Sequence, residues 1–321
     1  MRAIRPTKTG GPEQLVLEDL ATPAPGATEV LVRVEAAGVN YVDVYHLSGL
    51  YPLPLPLPIG LEGAGTVEQL GAQVRDLRVG ERVAWASVPG SYSSHVVAPA
   101  DKLVPVPEGL ASDVAAALLL QGMTAHCLTQ TVFALRPEHV ALVHAAAGGV
   151  GLLLVQMARR AGARVIGTVS TEAKAALAKE AGADHVINYQ TTDFATEVKR
   201  LTRGRGVDVA YDSVGRETFD DSLACLAQRG FLVLYGQSSG VVPPVDPARL
   251  GQGSYFLTRP SIFHYTATRS ELVARARHLF ELVVSGNLRV RIDRTFPLAQ
   301  AAEAHRALTS RATTGKVLLI P

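Results

Sequence analysis

The chain has 321 residues, 47% of them hydrophobic and 19% charged, with a formal net charge of +2. That balance excludes a disordered chain, and the length exceeds what one ordinary core organises, so two domains are expected. Lysine and arginine are scattered rather than gathered in the basic block that nucleic acid or an anionic membrane calls for, so neither is an expected partner.

Two cysteines, Cys127 and Cys225, stand outside any CxxC pair, which fits a reducing compartment and gives no disulfide framework. The N-terminal MRAIRPTKTG has no apolar signal-peptide core, and the apolar run VAAALLL at 114–120 falls far short of the ~20 residues of a membrane span. A cytoplasmic protein is expected.

The first part of the chain, to about residue 112, reads as short strands with many turns. VLVRVEAAGV (30–39) is strand-like; GAGTVEQLG and GERVAWA are strand segments punctuated by glycine, and SYSSHVVAP alternates in the same way. YPLPLPLPIG (51–60) carries proline at every second position from 52 to 58 and predicts an extended loop, since proline removes a ladder donor and breaks a helix. ASDVAAALLLQGMTAHCLT predicts a helix that starts near Ser112 or Asp113. From 139 to 236 strands and helices alternate: HVALVH, ARVIGTV, DHVINY, VDVAYDSV and GFLVLYG, with helices beginning near Gly149, Thr171, Thr192 and Arg216. That alternation predicts a parallel sheet with right-handed crossovers, a doubly wound α/β fold. SELVARARHLFELVVSG and LAQAAEAHRALTS then read as helices, and GKVLLIP as a final strand that returns to the first domain.

HAAAGGVG (144–151) joins the first strand of the alternating region to its helix. A doubly wound fold binds a dinucleotide pyrophosphate at that junction, where free helix N–H groups and the helix dipole favour negative charge. Gly148 lets the backbone approach the phosphates, and Gly151 lets the helix pack on the strand. Against GxGxxG the first glycine is Ala146, so the motif alone is weak and its strand–helix context carries it. The second strand ends GTVST (167–171) without the acidic residue that selects NAD through the ribose hydroxyl. Ser170, Thr171 and Lys174 suit a 2′-phosphate and point to NADPH; the alternative is that Ser170 or Thr171 merely caps the next helix and Lys174 is solvated.

At this point the chain resembles the medium-chain dehydrogenase/reductase superfamily and its zinc-independent quinone oxidoreductase, zeta-crystallin-like, branch. The resemblance is carried by AAGVNYVDVYHLSGLYP (36–52), GLEGAGTV (60–67), LLLQGMTAH (118–126), HAAAGGVG, GTVSTEAK (167–174), GADHVINY (182–189), VDVAYDSVG (207–215), YGQSSG (235–240) and SRATTGKVLLIP (310–321). It implies a β-rich GroES-like catalytic domain over 1–123 and 265–321 and an NADPH-binding Rossmann domain over 124–264. It places Gly148, Gly149 and Val150 on the pyrophosphate and Ser170, Lys174 and Tyr189 around the 2′-phosphate. Ser213, Gly236 and Ser238 lie along the cofactor, Asn40 and Thr124 at its nicotinamide end, and Arg311 reaches it from the C-terminal segment. VVPPVDPARLGQG (241–253) resembles the stretch that joins family dimers, and a strand at GSYFLT could extend the sheet across a two-fold axis, so a homodimer is expected.

Zinc-dependent members of the superfamily take one metal ligand from a cysteine near the early strand-turn and another from the histidine of Gly-His-Glu. Here Ala37 and Asn40 occupy the first region and Leu61 the second, in Gly60-Leu61-Glu62, so no metal is expected. Without a Lewis acid, an acceptor that is already electron-poor is favoured: a quinone, or an α,β-unsaturated carbonyl reduced at its C=C bond. A hydrogen-bond donor can stabilise the delocalised product anion. The expected donors are Asn40 and Tyr45, with Tyr51 at the mouth and the proline-rich loop 52–58 as an apolar rim. A third reading, a non-catalytic NADPH- or RNA-binding protein of the same branch, is disfavoured by the near-neutral charge and the intact glycine loop.

Replacing Lys174→Ala is expected to weaken NADPH binding by about tenfold or more and to leave NADH nearly untouched, measured by fluorescence titration of each nucleotide. Equal loss for both nucleotides would remove the 2′-phosphate assignment.

Overall fold

The computed structural model describes residues 1–321, which divide into two compact units, Met1–Met123 with Thr266–Pro321 and Thr124–Tyr265. The first unit opens with a small antiparallel pair, β1 (Arg2–Ile4) and β2 (Leu17–Asp19). It continues through β3 (Glu29–Val39), α1 (Tyr41–Leu47), β4 (Glu62–Leu70), β5 (Arg82–Trp85), β6 (His95–Pro99), β7 (Val104–Pro105) and α2 (Ser112–Cys127), the last running past the boundary into the second unit. The second unit holds β8 (Val140–Val143), α3 (Gly149–Arg160), β9 (Arg164–Val169), α4 (Glu172–Glu180), β10 (His185–Asn188), α5 (Phe194–Leu201), β11 (Val207–Asp212), α6 (Phe219–Ala224), β12 (Leu226–Leu234) and β13 (Phe256–Thr258). The chain returns to the first unit with α7 (Arg269–Val284), β14 (Ile292–Pro297), α8 (Ala301–Thr309) and β15 (Lys316–Ile320).

In the first unit the long strand β3 is central, in a sheet of order β14-β15-β3-β4-β5-β7 with β6 also pairing β3. Val30, Val32 and Val34, at every second position, are buried in one apolar cluster with Trp85, Tyr92, Val317 and Leu319. Register decides what meets at the end of β3. Gly38 lies opposite Glu62 on β4 and opposite Leu318 on β15, which brings the first residue of β15, Lys316, level with Asn40. The C-terminal strand therefore lands beside the segment that leads into α1.

The second unit is an all-parallel sheet of order β10-β9-β8-β11-β12-β13. The chain runs outward from β8 to β10, then restarts on the other side of β8 with β11, so β8 and β11 flank the topological switch point. Its buried strands are near-continuous apolar runs, as a sheet covered on both faces requires. No helix is long and apolar enough to cross a membrane.

Two elements were not expected. The segment after β3 turns into helix α1, because the Asp43 carboxylate accepts the Asn40 backbone N–H at 2.8 Å and caps the first turn. Strand β14 runs parallel to β15 with its residues mostly exposed or half-buried, so it lacks the alternation that marks a half-buried strand. The segment 51–60 carries neither helix nor strand, but it is less of a rim than expected: Leu57 and Ile59 are fully buried in the core, while Leu55 is exposed.

Candidate active site

The two units carry separate groups of the expected residues. In the second unit the glycine loop leaves the end of β8 and opens α3, with Gly148 as N-cap and no side chain capping it. The first N–H groups of α3, from Gly149, Val150 and Gly151, therefore have no helical carbonyl to bond. The loop turns at Ala145, which takes φ 50°, and its carbonyl accepts Gly148 N–H at 2.8 Å. A Cβ on Gly151 would overlap that carbonyl and lie 2.9 Å from the Ala146 Cα, so glycine is obligatory where the helix packs on the loop. The missing first glycine of the motif is accounted for across the sheet. A Cβ on Gly167 of β9 would lie 2.8 Å from the Ala146 Cβ, so the space that motif glycines usually leave is provided from the neighbouring strand.

Ser170 follows β9 and Tyr189 follows β10, and the Tyr189 N–H donates to the Val169 carbonyl at 3.0 Å, which ties the two strand ends together. Lys174, in the first turn of α4, is half-buried and places Nζ 3.4 Å from the Ser170 Oγ. Thr171 does cap α4, accepting from the Lys174 N–H at 3.3 Å, so the capping alternative holds for Thr171 and leaves Ser170 to Lys174. Tyr189 is 37% exposed. Beside these, Ser213 follows β11, and Gly236 and Ser238 follow β12. The Ser238 N–H donates to the Ser213 carbonyl at 3.1 Å, and a Cβ on Gly236 would lie 2.7 Å from the same oxygen. All these residues thus stand at the carboxyl ends of adjacent parallel strands. Thr124 is half-buried on α2.

Beneath the strand ends runs a buried chain that the sequence did not disclose. Asp212 ends β11; its Oδ1 accepts the Val214 and Gly215 N–H groups at 2.8 and 3.0 Å, and its Oδ2 accepts the hydroxyls of Thr218 and Ser222 at 2.7 and 2.9 Å. Because Ser222 spends its only hydrogen on this carboxylate, it can only accept from His144 Nε2, 2.9 Å away. His144 Nδ1 is then the acceptor for the Thr168 hydroxyl at 2.9 Å. Burial lowers the His144 pKa, against an opposing pull from Asp212, and keeps the ring neutral. One hydrogen-bonded chain thus fixes the ends of β8, β9 and β11, from which the glycine loop, Ser170 and Ser213 depart.

In the first unit Asn40, Tyr45 and Tyr51 lie on or beside α1. Tyr45 and Tyr51 are half-buried and meet edge to face, with centroids 5.2 Å apart, while Tyr51 N–H donates to the Tyr45 carbonyl at 3.0 Å. Tyr41 extends the aromatic row, its centroid 6.1 Å from that of Tyr45. Arg311, exposed and with φ 59°, acts on Tyr41, whose pKa is raised by burial and pulled back by that charge. Asn40 is only 6% exposed, and its amide is fully used. Nδ2 donates to Glu62 Oε2 at 2.9 Å and to the Gly38 carbonyl at 3.3 Å; Oδ1 accepts from Lys316 Nζ at 2.8 Å and from Gln121 Nε2 at 3.4 Å. Both amide hydrogens are thus committed to Gly38 and Glu62.

Asp43, on α1, is fully buried, and Oδ2 accepts the Tyr92 hydroxyl at 2.9 Å; that hydroxyl also lies 3.0 Å from His305 Nε2. Burial pushes the Asp43 carboxyl up to about 7, against the pull of the Asn40 N–H, Tyr92 and Lys316, and holds His305 down at about 4. Asp43 Oδ1 and His305 Nδ1 have no partner. Sequence reading passed over Lys316, Asp43, Tyr92 and His305; the only available signal was charged or polar residues inside apolar strand and helix patterns.

Residues 26–108 match the alcohol dehydrogenase GroES-like domain, and residues 149–281 match the zinc-binding dehydrogenase domain. A quinone oxidoreductase from Pseudomonas aeruginosa is 45% identical over 97% of both chains, and a 2-haloacrylate reductase from a Burkholderia species is 44% identical over 98% of this chain and 97% of that protein. Among solved structures, Escherichia coli quinone oxidoreductase in complex with NADPH superposes with a TM-score of 0.97 at 43% identity over all of both chains. The chain belongs to the quinone oxidoreductase family of medium-chain dehydrogenases/reductases. As a family member it keeps the GroES-like and Rossmann folds. The zinc in that second description does not suit this chain's residues: apolar Leu61 stands between Gly60 and Glu62, Glu62 is held by Lys316, and no three His, Cys, Asp or Glu side chains converge as a metal requires.

Two outcomes test this description. Gly151→Ala is expected to push α3 away from the loop, costing about 1–3 kcal/mol of stability and most NADPH affinity, read from urea unfolding and fluorescence titration. The Asp43 carboxyl has a folded pKa raised from 3.8 to about 7, so its contribution is present below the unfolded value and is lost as pH rises through the folded one. Wild type is expected to lose roughly 2–4 kcal/mol relative to Asp43→Asn between about pH 4 and pH 7, with parallel behaviour above, measured by urea unfolding across that range.

Proposed function

We propose that the protein is an NADPH-dependent quinone reductase that needs no metal. The observation that carries the reading is a pair of features on the two units: a bare helix N-terminus with a lysine in the first turn of the next helix, and a tyrosine pair on and beside α1. Gly149 and Val150 receive the pyrophosphate on N–H groups that have no helical partner, Gly148 lets the backbone come close to it, and Lys174 with Ser170 and Tyr189 receives the 2′-phosphate. Ser213, Gly236 and Ser238 line the course of the cofactor, and the Ser213 backbone leaves no room for a side chain at Gly236. The roles of Asn40, Thr124 and Arg311 toward the cofactor rest on the resemblance alone.

Bound NADPH supplies a hydride. The chain's own residues bind and orient the acceptor and stabilise the charge that develops on it. Tyr45 and Tyr51 offer flat apolar surface to a ring and phenolic hydroxyls to its oxygens, and Leu55 with the surrounding prolines adds an exposed apolar edge. Water delivers the proton to the product anion. A second reading, reduction of an activated C=C bond, is favoured by the 44% identity to a 2-haloacrylate reductase, because the same hydride delivery serves both acceptors. The protein acts as a homodimer: β13 is the edge strand of its sheet, with Phe256 50% exposed and Phe263 37% exposed beside it, a surface suited to a second copy. A cytoplasmic location accompanies the reading, with both cysteines as buried thiols.

NADPH consumption with 1,4-benzoquinone and with an enone, each with and without chelator, tests the assignment. Fast oxidation by the quinone, indifferent to chelator, is expected; turnover of the enone alone would move the assignment to alkene reduction. Tyr45→Phe is expected to lower kcat/KM for the quinone by about tenfold while leaving the NADPH dissociation constant unchanged, and equal rates for both forms would remove the hydroxyl from the mechanism.

A further inference from the structure

The geometry points to Lys316 and Glu62 as a positioning pair: a buried ion pair that fixes the Asn40 side chain and, through it, the start of the helix that carries the tyrosine wall. This inference rests on the reading of Tyr45 and Tyr51 as the acceptor's wall.

Lys316 and Glu62 are 1% and 0% exposed, and the ammonium bonds Glu62 Oε2 directly. Nothing in the fold requires the chain to place two charges there. A buried pair loses so much hydration that well-packed apolar residues of similar size serve stability as well or better. What the charges supply is direction. Lysine can only donate and ionised glutamate can only accept, so Asn40 has a single arrangement, with Oδ1 toward Lys316 and Nδ2 toward Glu62. Turning the amide over would set its NH2 against the ammonium and its oxygen against the carboxylate.

The surroundings are built for the pair. Gly38 lies between the two strands, and a Cβ there would overlap Glu62 Oε2 and lie 2.8 Å from both Cε and Nζ of Lys316. Glu62 Oε1 is occupied by the Leu120 N–H of α2 at 2.6 Å, so the carboxylate cannot swing away, and Gln121 adds a donor to Asn40 Oδ1. Asn40 is the last residue before α1, and its own N–H is held by Asp43. The orientation of Asn40 therefore sets where α1 begins, and α1 sets Tyr45, whose carbonyl in turn holds Tyr51.

The test uses the full-length protein in two forms. The Glu62→Gln/Lys316→Met double variant removes both charges at similar volume, and Gly38→Ala removes none but displaces the pair. Unfolding midpoint, NADPH dissociation constant, kcat with duroquinone, binding of duroquinone to the NADP+-saturated protein, and amide hydrogen exchange across residues 40–47 are measured. Both variants are expected to keep wild-type NADPH affinity within about twofold while kcat and duroquinone binding fall about tenfold and exchange in α1 accelerates by a similar factor. Wild-type kcat, duroquinone binding and α1 exchange in a folded variant would overturn the inference. So would kcat and NADPH affinity falling together with the unfolding midpoint, which is the mark of a merely structural pair. If the double variant does not fold, Gly38→Ala decides. If wild-type protein turns over no quinone, the functional reading falls by itself, and α1 exchange with duroquinone binding still decides the role of the pair.

Discussion

An ammonium and a carboxylate, Lys316 and Glu62, meet where almost no water reaches, and the first unit is arranged around that contact. Each charge out of water must find partners, or the fold loses several kcal/mol. The charges find their partners in the Asn40 amide and the Leu120 N–H of α2, in room that Gly38 leaves, once the last strand has brought Lys316 beside β3. The contact closes only when β15 has docked, so the N-terminal strands and the C-terminal segment depend on each other.

The second unit solves a similar problem with a single charge. Asp212 satisfies its carboxylate with two backbone and two hydroxyl donors, and the chain continues through Ser222 to a neutral His144 and on to Thr168. Every hydrogen in that chain has one possible direction, because a carboxylate only accepts and each hydroxyl has one proton to give. The ends of three parallel strands are held in common, and the residues that leave those ends form the proposed nucleotide surface. In both units a buried acidic group is held next to the elements that carry the proposed site residues.

Reduction without a metal makes this fixing matter. A bound metal would itself orient the acceptor and polarise it. In the proposed site, an acceptor held by tyrosine hydroxyls and apolar surface depends on the angle and reach of those side chains, and these follow the helix that starts at Asn40 and Asp43. Asp43, with its carboxyl pushed up to about 7, adds a group at that start whose ionisation falls in the working range of most enzymes.

The sequence by itself determined the parallel sheet, the glycine loop at the end of its first strand, the lysine and serine at the end of the second, and the absence of a zinc ligand at Leu61. These depend on local periodicity and on residues adjacent in the chain, which the sequence states directly. Helix α1 was hidden because its cap is a side chain bonding the backbone three residues earlier, within a stretch that reads as a strand and its turn. Strand β14 was hidden because it is almost unburied and carries no alternation. Only the tertiary structure decided that Asn40 spends its amide on Lys316 and Glu62, that Gly167 makes room for Ala146, and that His144 serves Asp212 rather than the loop it begins. Each of these joins residues tens to hundreds of positions apart, and which of them meet is set by strand register and sheet order rather than by any neighbouring residue.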